Sequence, residues 1–126
     1  MVERKLKKIY GTVDCPVRNV LDRVGDKWSI LIIMLLGENG TLRFNELNGL
    51  IETISQKMLT VTLKTLEADG LIVRKVYAQV PPRVEYTLTK LGESLLPAVG
   101  TLAQWADKNM SSILAARTRY AKSNRR

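Results

Sequence analysis

The sequence has no histidine and a single cysteine, Cys15, among its 126 residues. It therefore lacks the ligands of a His/Cys zinc site and the partners of a Cys–His nucleophile pair. One cysteine cannot form a disulfide within the chain, which is typical of a reducing compartment. No pair of carboxylates stands at a spacing that suggests a shared site. We therefore expect a protein that is not an enzyme and that holds no metal or cofactor.

Long apolar runs are also missing. The longest one, Ile30 to Leu36, is far too short to cross a bilayer. The basic N-terminus has no apolar stretch before a cleavage site, so a secretory signal is not expected. The length predicts one domain, and a cytoplasmic protein is the default expectation.

The net charge of +8 comes entirely from the two ends of the chain. Residues 1–10 contribute four basic residues against one acid, and residues 117–126 contribute five basic residues and no acid. The middle is neutral, with eleven residues of each sign. Basic ends suit nucleic acid and an anionic surface equally well. An argument for DNA must therefore come from where the central charges lie.

The hydrophobic periodicity predicts a mainly α fold with a small β wing. Four short helices, a short strand and a β-hairpin precede one long helix, and the second helix, residues 27–36, is apolar on nearly all sides. Phe44, Leu47, Leu50 and Ile51 mark one face of the third helix. We divide the chain into a basic arm (1–12), a winged helix-turn-helix (13–88), a long dimerisation helix (89–116) and a basic tail (117–126). A small domain cannot bury such a long helix alone, so its spare apolar face predicts a dimer seam, together with the first helix.

The helix from Ser55 to Asp69 has two different faces. Leu59, Leu63 and Leu66 lie on one side, and Lys57, Thr60, Val61 and Lys64 lie on the other. The second set suits a major groove, since lysine, threonine and valine can contact base edges, phosphates or a thymine methyl. Ser55 and Gln56 begin the helix, where its dipole favours a phosphate. The alternative interpretation is an ordinary amphipathic helix with a solvated lysine face.

The hairpin adds cations beside this helix. Arg74 and Lys75 lie on its first strand, and Arg83 follows the double proline Pro81-Pro82. The two prolines should stiffen the tip into an extended form that holds Arg83 outward. They could equally form a rigid loop with no partner. The order of helix, glycine stop and basic hairpin predicts a winged helix-turn-helix that binds DNA.

Several motifs together resemble the HxlR-type bacterial transcriptional regulators, relatives of the MarR group. They are Cys15-Pro16-Val17, Lys27-Trp28, Arg43-Phe44-Asn45-Glu46-Leu47, Ile54-Ser55-Gln56-Lys57-Met58-Leu59 and Val80-Pro81-Pro82-Arg83-Val84-Glu85-Tyr86. The resemblance implies a homodimer that binds double-stranded DNA at a two-fold-related operator, in a bacterial or archaeal cytoplasm. It implies that base readers lie among Gln56, Lys57, Thr60, Val61 and Lys64. It also implies backbone or minor-groove contacts from Arg43, Ser55, Arg74, Lys75 and Arg83.

Cys15 has two interpretations. In several relatives a cysteine before this proline senses oxidants or electrophiles, and the dipole of a following helix together with Arg18 would favour the thiolate, whereas Asp14 opposes it. Without a second cysteine, the resemblance leaves a Cys15 pair across the dimer, a mixed disulfide or an adduct. The other interpretation is a small buried apolar residue.

The function also has an alternative, a winged-helix module that binds a protein partner without specific DNA binding. The operator, the direction of regulation and any small-molecule effector are left open by the sequence.

Overall fold

The computed structural model describes residues 16–24 and 27–124. Its elements, in chain order, are α1 (Pro16–Val24), α2 (Lys27–Asn39), β1 (Thr41–Arg43), α3 (Phe44–Leu50), α4 (Gln56–Ala68), β2 (Ile72–Tyr77), β3 (Arg83–Leu88) and α5 (Lys90–Ser123). The strands form an antiparallel sheet in the order β1-β3-β2. The predicted mainly helical fold with a small wing is confirmed. The basic arm, residues 1–12, and Cys15 lie outside the described residues.

The core forms where α2 meets α4 and the sheet. Ile32, Ile33 and Leu36 of α2 are buried against the leucine face of α4, and Ile72 and Tyr86 close the core from the sheet side. Each fully buried aliphatic side chain contributes about 1.5–3 kcal/mol by leaving water. The apolar pattern of α2 predicts a central buried helix, and α2 is central but not covered on every side, since Leu31 is 41% exposed. It packs against α1, α4, α5 and the sheet.

The expected apolar face of α3 is only partly correct. Leu47 and Ile51 are buried, Phe44 is half-buried, and Leu50 is 53% exposed. The helix ends at Leu50, and Ile51 leaves helical geometry with φ −106° and ψ 86°. A periodic face cannot continue past the end of its helix, so the chain turns Ile51 inward and leaves Leu50 in solvent.

The boundaries of α4 follow the signals that its sequence predicts. Ser55 caps its start, since its hydroxyl oxygen accepts the Met58 N–H at 3.0 Å. Gly70 ends it with φ 75°, a backbone conformation that side chains with a Cβ rarely adopt. The Leu71 N–H then bonds the Leu66 carbonyl at 3.0 Å. α4 is thereby held at both ends.

The last helix is longer than the sequence predicts. Thr89 caps it, as expected, by accepting the Gly92 N–H at 3.1 Å. The expected end at residue 116 is wrong, because α5 continues through Arg117 and Arg119 to Ser123. Alanine, arginine and lysine are strong helix formers, so the basic segment prolongs the helix. Of its 34 residues only Gly92 and Val99 are buried. In residues 16–24 and 27–124, no helix is both long enough and apolar enough to cross a membrane.

Candidate DNA-binding surface

The two predicted faces of α4 are present in the structure. Leu59, Leu63 and Leu66 are at most 2% exposed, whereas Lys57 and Lys64 are exposed on the opposite side. Val61 lies between the lysines in sequence and is 51% exposed. The buried leucines thus pack α4 onto the core. The opposite face presents two lysines and one branched aliphatic side chain to solvent.

The hydroxyl groups on α4 are partly occupied by its own backbone. The Thr60 hydroxyl donates to the Gln56 carbonyl at 2.8 Å, so its proton is used within the helix and its side chain is half-buried. Ser55 uses its oxygen as the cap and keeps its proton available to donate. Gln56 is exposed in the first turn. Of the two hydroxyls, Ser55 is therefore the better donor to an approaching oxygen.

The wing places Arg74 and Lys75 on opposite faces. Successive side chains of a strand alternate between the faces of a sheet. Arg74 is the register partner of the buried Tyr86, and Lys75 is the partner of Glu85. Arg74 therefore shares the inner face with the core, although its own side chain on the edge strand is exposed. Lys75 shares the outer face with Arg43, which is also a partner of Glu85.

Arg83 does not point outward from the tip, contrary to the sequence-based expectation. It begins β3, and its guanidinium carbon lies 4.0 Å from the centroid of the Tyr77 ring, its register partner. Its Nε lies 3.4 Å from a carboxylate oxygen of Glu85, and its side chain is 31% exposed. The aromatic face and the carboxylate attract the guanidinium more than the open tip does.

The tip itself is formed by other residues. The chain bends through residues 79–81, so the tip does not adopt the extended form that the sequence predicts. Val80 is fully exposed there. The sequence analysis assigns no functional role to Val80, Tyr77 or Glu85. The hairpin register is centred on Val80, one residue before the prolines, and this centre pairs Tyr77 with Arg83 and Lys75 with Glu85.

Arg43 and Arg83 come together at one pocket although they are far apart in sequence. The pocket has a volume of about 330 Å³ and lies between the start of α3 and the wing tip. Asn45 and Gln79 also line it, and no acidic residue does. The structure thus brings the first residues of α3 next to the wing.

A second cavity of about 510 Å³ lies between α1, the end of α4 and the start of α5. It is lined by Asn19, Val20, Asp69, Leu71, Leu91, Ser94 and Leu95. Neither Trp28 nor Trp105 lines it. The cavity adjoins the end of α4 that is remote from Ser55.

Comparison with known proteins identifies the family of the chain. Residues 23–113 match the profile of the HxlR-like helix-turn-helix family. The chain is 46% identical over 112 residues to the HTH-type transcriptional regulator YdeP of Bacillus subtilis, which covers 86% of each chain. Identity to YtfH of Escherichia coli, another HTH-type transcriptional regulator, is 45% over 107 residues, or 85% of this chain and 84% of YtfH.

Solved structures agree with these relatives. The transcriptional regulator ytfH from Salmonella typhimurium superposes with a TM-score of 0.77 at 42% identity, covering 85% of this chain and 95% of that one. The reduced form of the redox regulator HypR superposes with a TM-score of 0.75 at 41% identity, covering 79% and 98%. Both have the winged-helix fold described above. The chain is therefore a member of the HxlR-like helix-turn-helix family of transcriptional regulators.

Proposed function

We propose that this regulator binds a two-fold-related DNA operator as a homodimer and reads base edges with α4. In this proposal Gln56, Lys57, Thr60, Val61 and Lys64 face the major groove. The residues that contact the backbone or the minor groove are Arg43, Ser55, Arg74, Lys75 and Arg83. Such a protein acts where the chromosome lies, in the cytoplasm of a bacterium or an archaeon.

The exposed face of α4 is the observation that most supports this proposal. Lys57, Val61 and Lys64 project away from the buried leucines and are exposed in the part of the chain that the structure describes. A B-DNA major groove admits one helix, and these side-chain types suit its guanine, phosphate and thymine-methyl positions. The cations of the wing flank the helix where a duplex backbone would pass.

The homodimer is supported by the apolar surface outside the core. In α1, Val20 and Leu21 are 50% and 59% exposed, and in α5 Leu102 and Trp105 are 53% and 56% exposed. α5 spans about 50 Å at a rise of ~1.5 Å per residue, yet its buried residues lie near its start. Exposed apolar stripes of this length are typical of interaction surfaces. A second copy of the chain supplies a matching stripe by symmetry.

The proposal is tested by fluorescence anisotropy with labelled DNA from upstream of the protein's own gene, at moderate salt and with unrelated DNA as competitor. Lys64→Ala should weaken operator binding by about 5-fold to 100-fold, the range for one good base contact. Lys108→Ala on the exposed surface of α5 is the matched control and should bind as the wild type does. Unchanged affinity in Lys64→Ala would remove α4 as the reading helix.

The same assay separates the regulator from a protein-interaction module. A chain without residues 1–10 and 117–126 loses the excess positive charge but keeps α4 and the wing. A regulator of the proposed kind keeps its preference for the operator and loses part of its salt dependence, because fewer counterions are released. An interaction module loses its DNA affinity altogether with these ends.

Cys15 is proposed as the site of redox control, with a buried apolar role as the alternative. The support is the similarity to the redox regulator HypR, which has been solved in reduced and oxidised forms. Diamide would take one hydrogen from each of two Cys15 thiols, linking them as a disulfide across the dimer and becoming the hydrazine. Operator binding lost on treatment of the wild type, but kept in Cys15→Ser, supports the sensor. Binding unchanged by treatment in both supports the apolar role.

A further inference from the structure

One carboxylate lies among the cations of the wing. Glu85 is in the central strand β3, and its register partners are Arg43 on β1 and Lys75 on β2. Such partners project to the same face with Cβ atoms about 4.5–5.5 Å apart. Arg83 projects to that face as well, since it lies two residues before Glu85 on the same strand. Glu85 is the only acidic residue in the three described strands.

These residues form a defined group together with Tyr77, which we call the wing cluster: Arg43, Lys75, Tyr77, Arg83 and Glu85. Arg83 lies 3.4 Å from the Glu85 carboxylate and 4.0 Å from the centroid of the Tyr77 ring. The Lys75 ammonium lies 5.1 Å from the centroid of the same ring. The cluster has three positive charges and one negative charge on a single face.

The position of Glu85 has a consequence for any approaching anion. Its side chain is only 22% exposed, so water does not screen it fully from Arg83. A phosphate that approaches the outer face meets three cations, of which Arg83 is already paired with a carboxylate. To pair with Arg83 it must take the place of the carboxylate, whose charge then repels the phosphate at short range.

We infer that Glu85 limits the affinity of the wing for DNA, because it serves in the free protein as the internal anion that a backbone phosphate must displace from Arg83. The inference rests on the proposed function, since it takes the wing as a DNA contact. The inference adds to the proposed DNA interface one acidic residue, Glu85, which lowers the affinity that the cations raise. Binding to any duplex, operator or not, is weakened by the same amount, so the regulator is less readily retained on unrelated sequence.

The test is the salt dependence of DNA binding in Glu85→Gln, measured with operator and with unrelated duplex. Affinity for both should rise by about fivefold, the upper range for an exposed charge pair. The slope of log affinity against log salt should steepen by up to ~1, as for one additional phosphate contact. Glu85→Asp keeps the charge and should stay close to the wild-type slope. Asp107→Asn on α5 makes the same change in net charge away from the wing and should leave the slope unchanged.

A second variant tests the displacement itself. In an Arg83→Gln background the gain in DNA affinity from Glu85→Gln should largely disappear, because no guanidinium remains for the phosphate to bind. An undiminished gain in that background, or a gain equal to that of Asp107→Asn, would overturn the inference in favour of a general charge effect. Weaker or unchanged binding in Glu85→Gln, with an unchanged unfolding midpoint, would also overturn it. Absence of operator preference in the wild type would instead refute the proposed function, and the slope on unrelated duplex would still decide the role of Glu85.

Discussion

At the scale of single residues, Gly92 has the least space for a side chain among the glycines that the structure describes. A Cβ there would collide with the backbone carbonyl oxygen of Leu71 and lie 3.1 Å from a methyl carbon of Leu88. The Leu71 carbonyl cannot move away freely, since it accepts the Thr89 N–H at 3.0 Å. Gly92 is therefore required where α5 crosses the chain that enters β2.

We predict that Gly92→Ala lowers the free energy of unfolding by about 1–3 kcal/mol, the usual cost of forcing a methyl into a packed site. The loss should appear although alanine is the better helix former by about 1 kcal/mol. Urea denaturation measures it. Gly49→Ala in α3 is the control, because nothing lies within 4 Å of its Cβ, and it should be neutral or slightly stabilising. A Gly92→Ala protein as stable as the wild type would mean that the helix shifts at no cost.

Residue identity and spacing predict which face a side chain occupies, but not what it bonds. The periodicity placed Thr60 with Lys57 and Lys64, and the structure agrees, yet the Thr60 proton goes to the Gln56 carbonyl. The stiffness of the two prolines predicts an Arg83 that points outward. In the structure its position depends on Tyr77, across the hairpin, and on Glu85, two residues along the same strand. Those partners become neighbours only once the strands have paired in register, so local propensity cannot predict these contacts.

At the scale of elements, one threonine joins two helices. The Thr89 hydroxyl donates to the Gly70 carbonyl at 2.6 Å, and its oxygen accepts the Gly92 N–H at 3.1 Å. The first bond reaches the turn that ends α4, and the second caps α5. The end of α4 and the start of α5 are thus held by the same side chain.

We predict that Thr89→Ala destabilises the protein by about 1–2 kcal/mol, the upper part of the range for the loss of a helix cap. Thr89→Ser keeps both hydrogen bonds and is the matched control, with a stability close to the wild type. Thermal and urea unfolding of the three proteins measure the difference. Equal losses in the alanine and serine variants would show that the methyl group, and not the hydroxyl, stabilises this junction.

Caps and glycines are local signals, and this explains which boundaries were predicted well. Ser55, Gly70 and Thr89 mark element ends through their own backbone and side-chain chemistry, and the structure has all three in those roles. The end of α5 has no comparable stop signal before Ser123, so the basic composition alone predicts a tail where the helix in fact continues. The exposure of Leu50 depends on where α3 ends, which its periodicity does not encode.

At the scale of the whole molecule, the helices have more apolar surface than a single chain buries. α5 is in contact with the core near Leu95, Leu96 and Val99, and beyond them its stripe is exposed or half-buried. The sequence predicts this surplus because the stripe from Leu91 to Ile113 is visible as a periodicity. It does not predict the geometry of the seam, which depends on two surfaces fitting each other.

We predict that Leu102→Glu converts the protein to a monomer and lowers operator affinity by at least about tenfold. Leu102 lies on the exposed stripe of α5, so in a dimer the new carboxylate would be buried among apolar groups without a partner, at a cost of several kcal/mol. Each protomer should still fold, since Leu102 is 53% exposed in the single chain. Sedimentation velocity gives the oligomeric state, and circular dichroism checks the fold.

Gln104→Glu is the matched control, because it adds the same charge two residues away on a different side of the same helix, at an exposed position. It should stay dimeric and keep its operator affinity within about twofold, as expected for an exposed surface substitution. Dissociation in both variants would indicate a general effect of charge on α5. A dimer that survives Leu102→Glu would move the seam to another surface, and a wild type that sediments as a monomer would leave each half-site bound by a single α4. The proposed operator binding therefore depends on the exposed stripe of α5 as well as on α4, because the dimer contact on that stripe is what would pair two copies of α4.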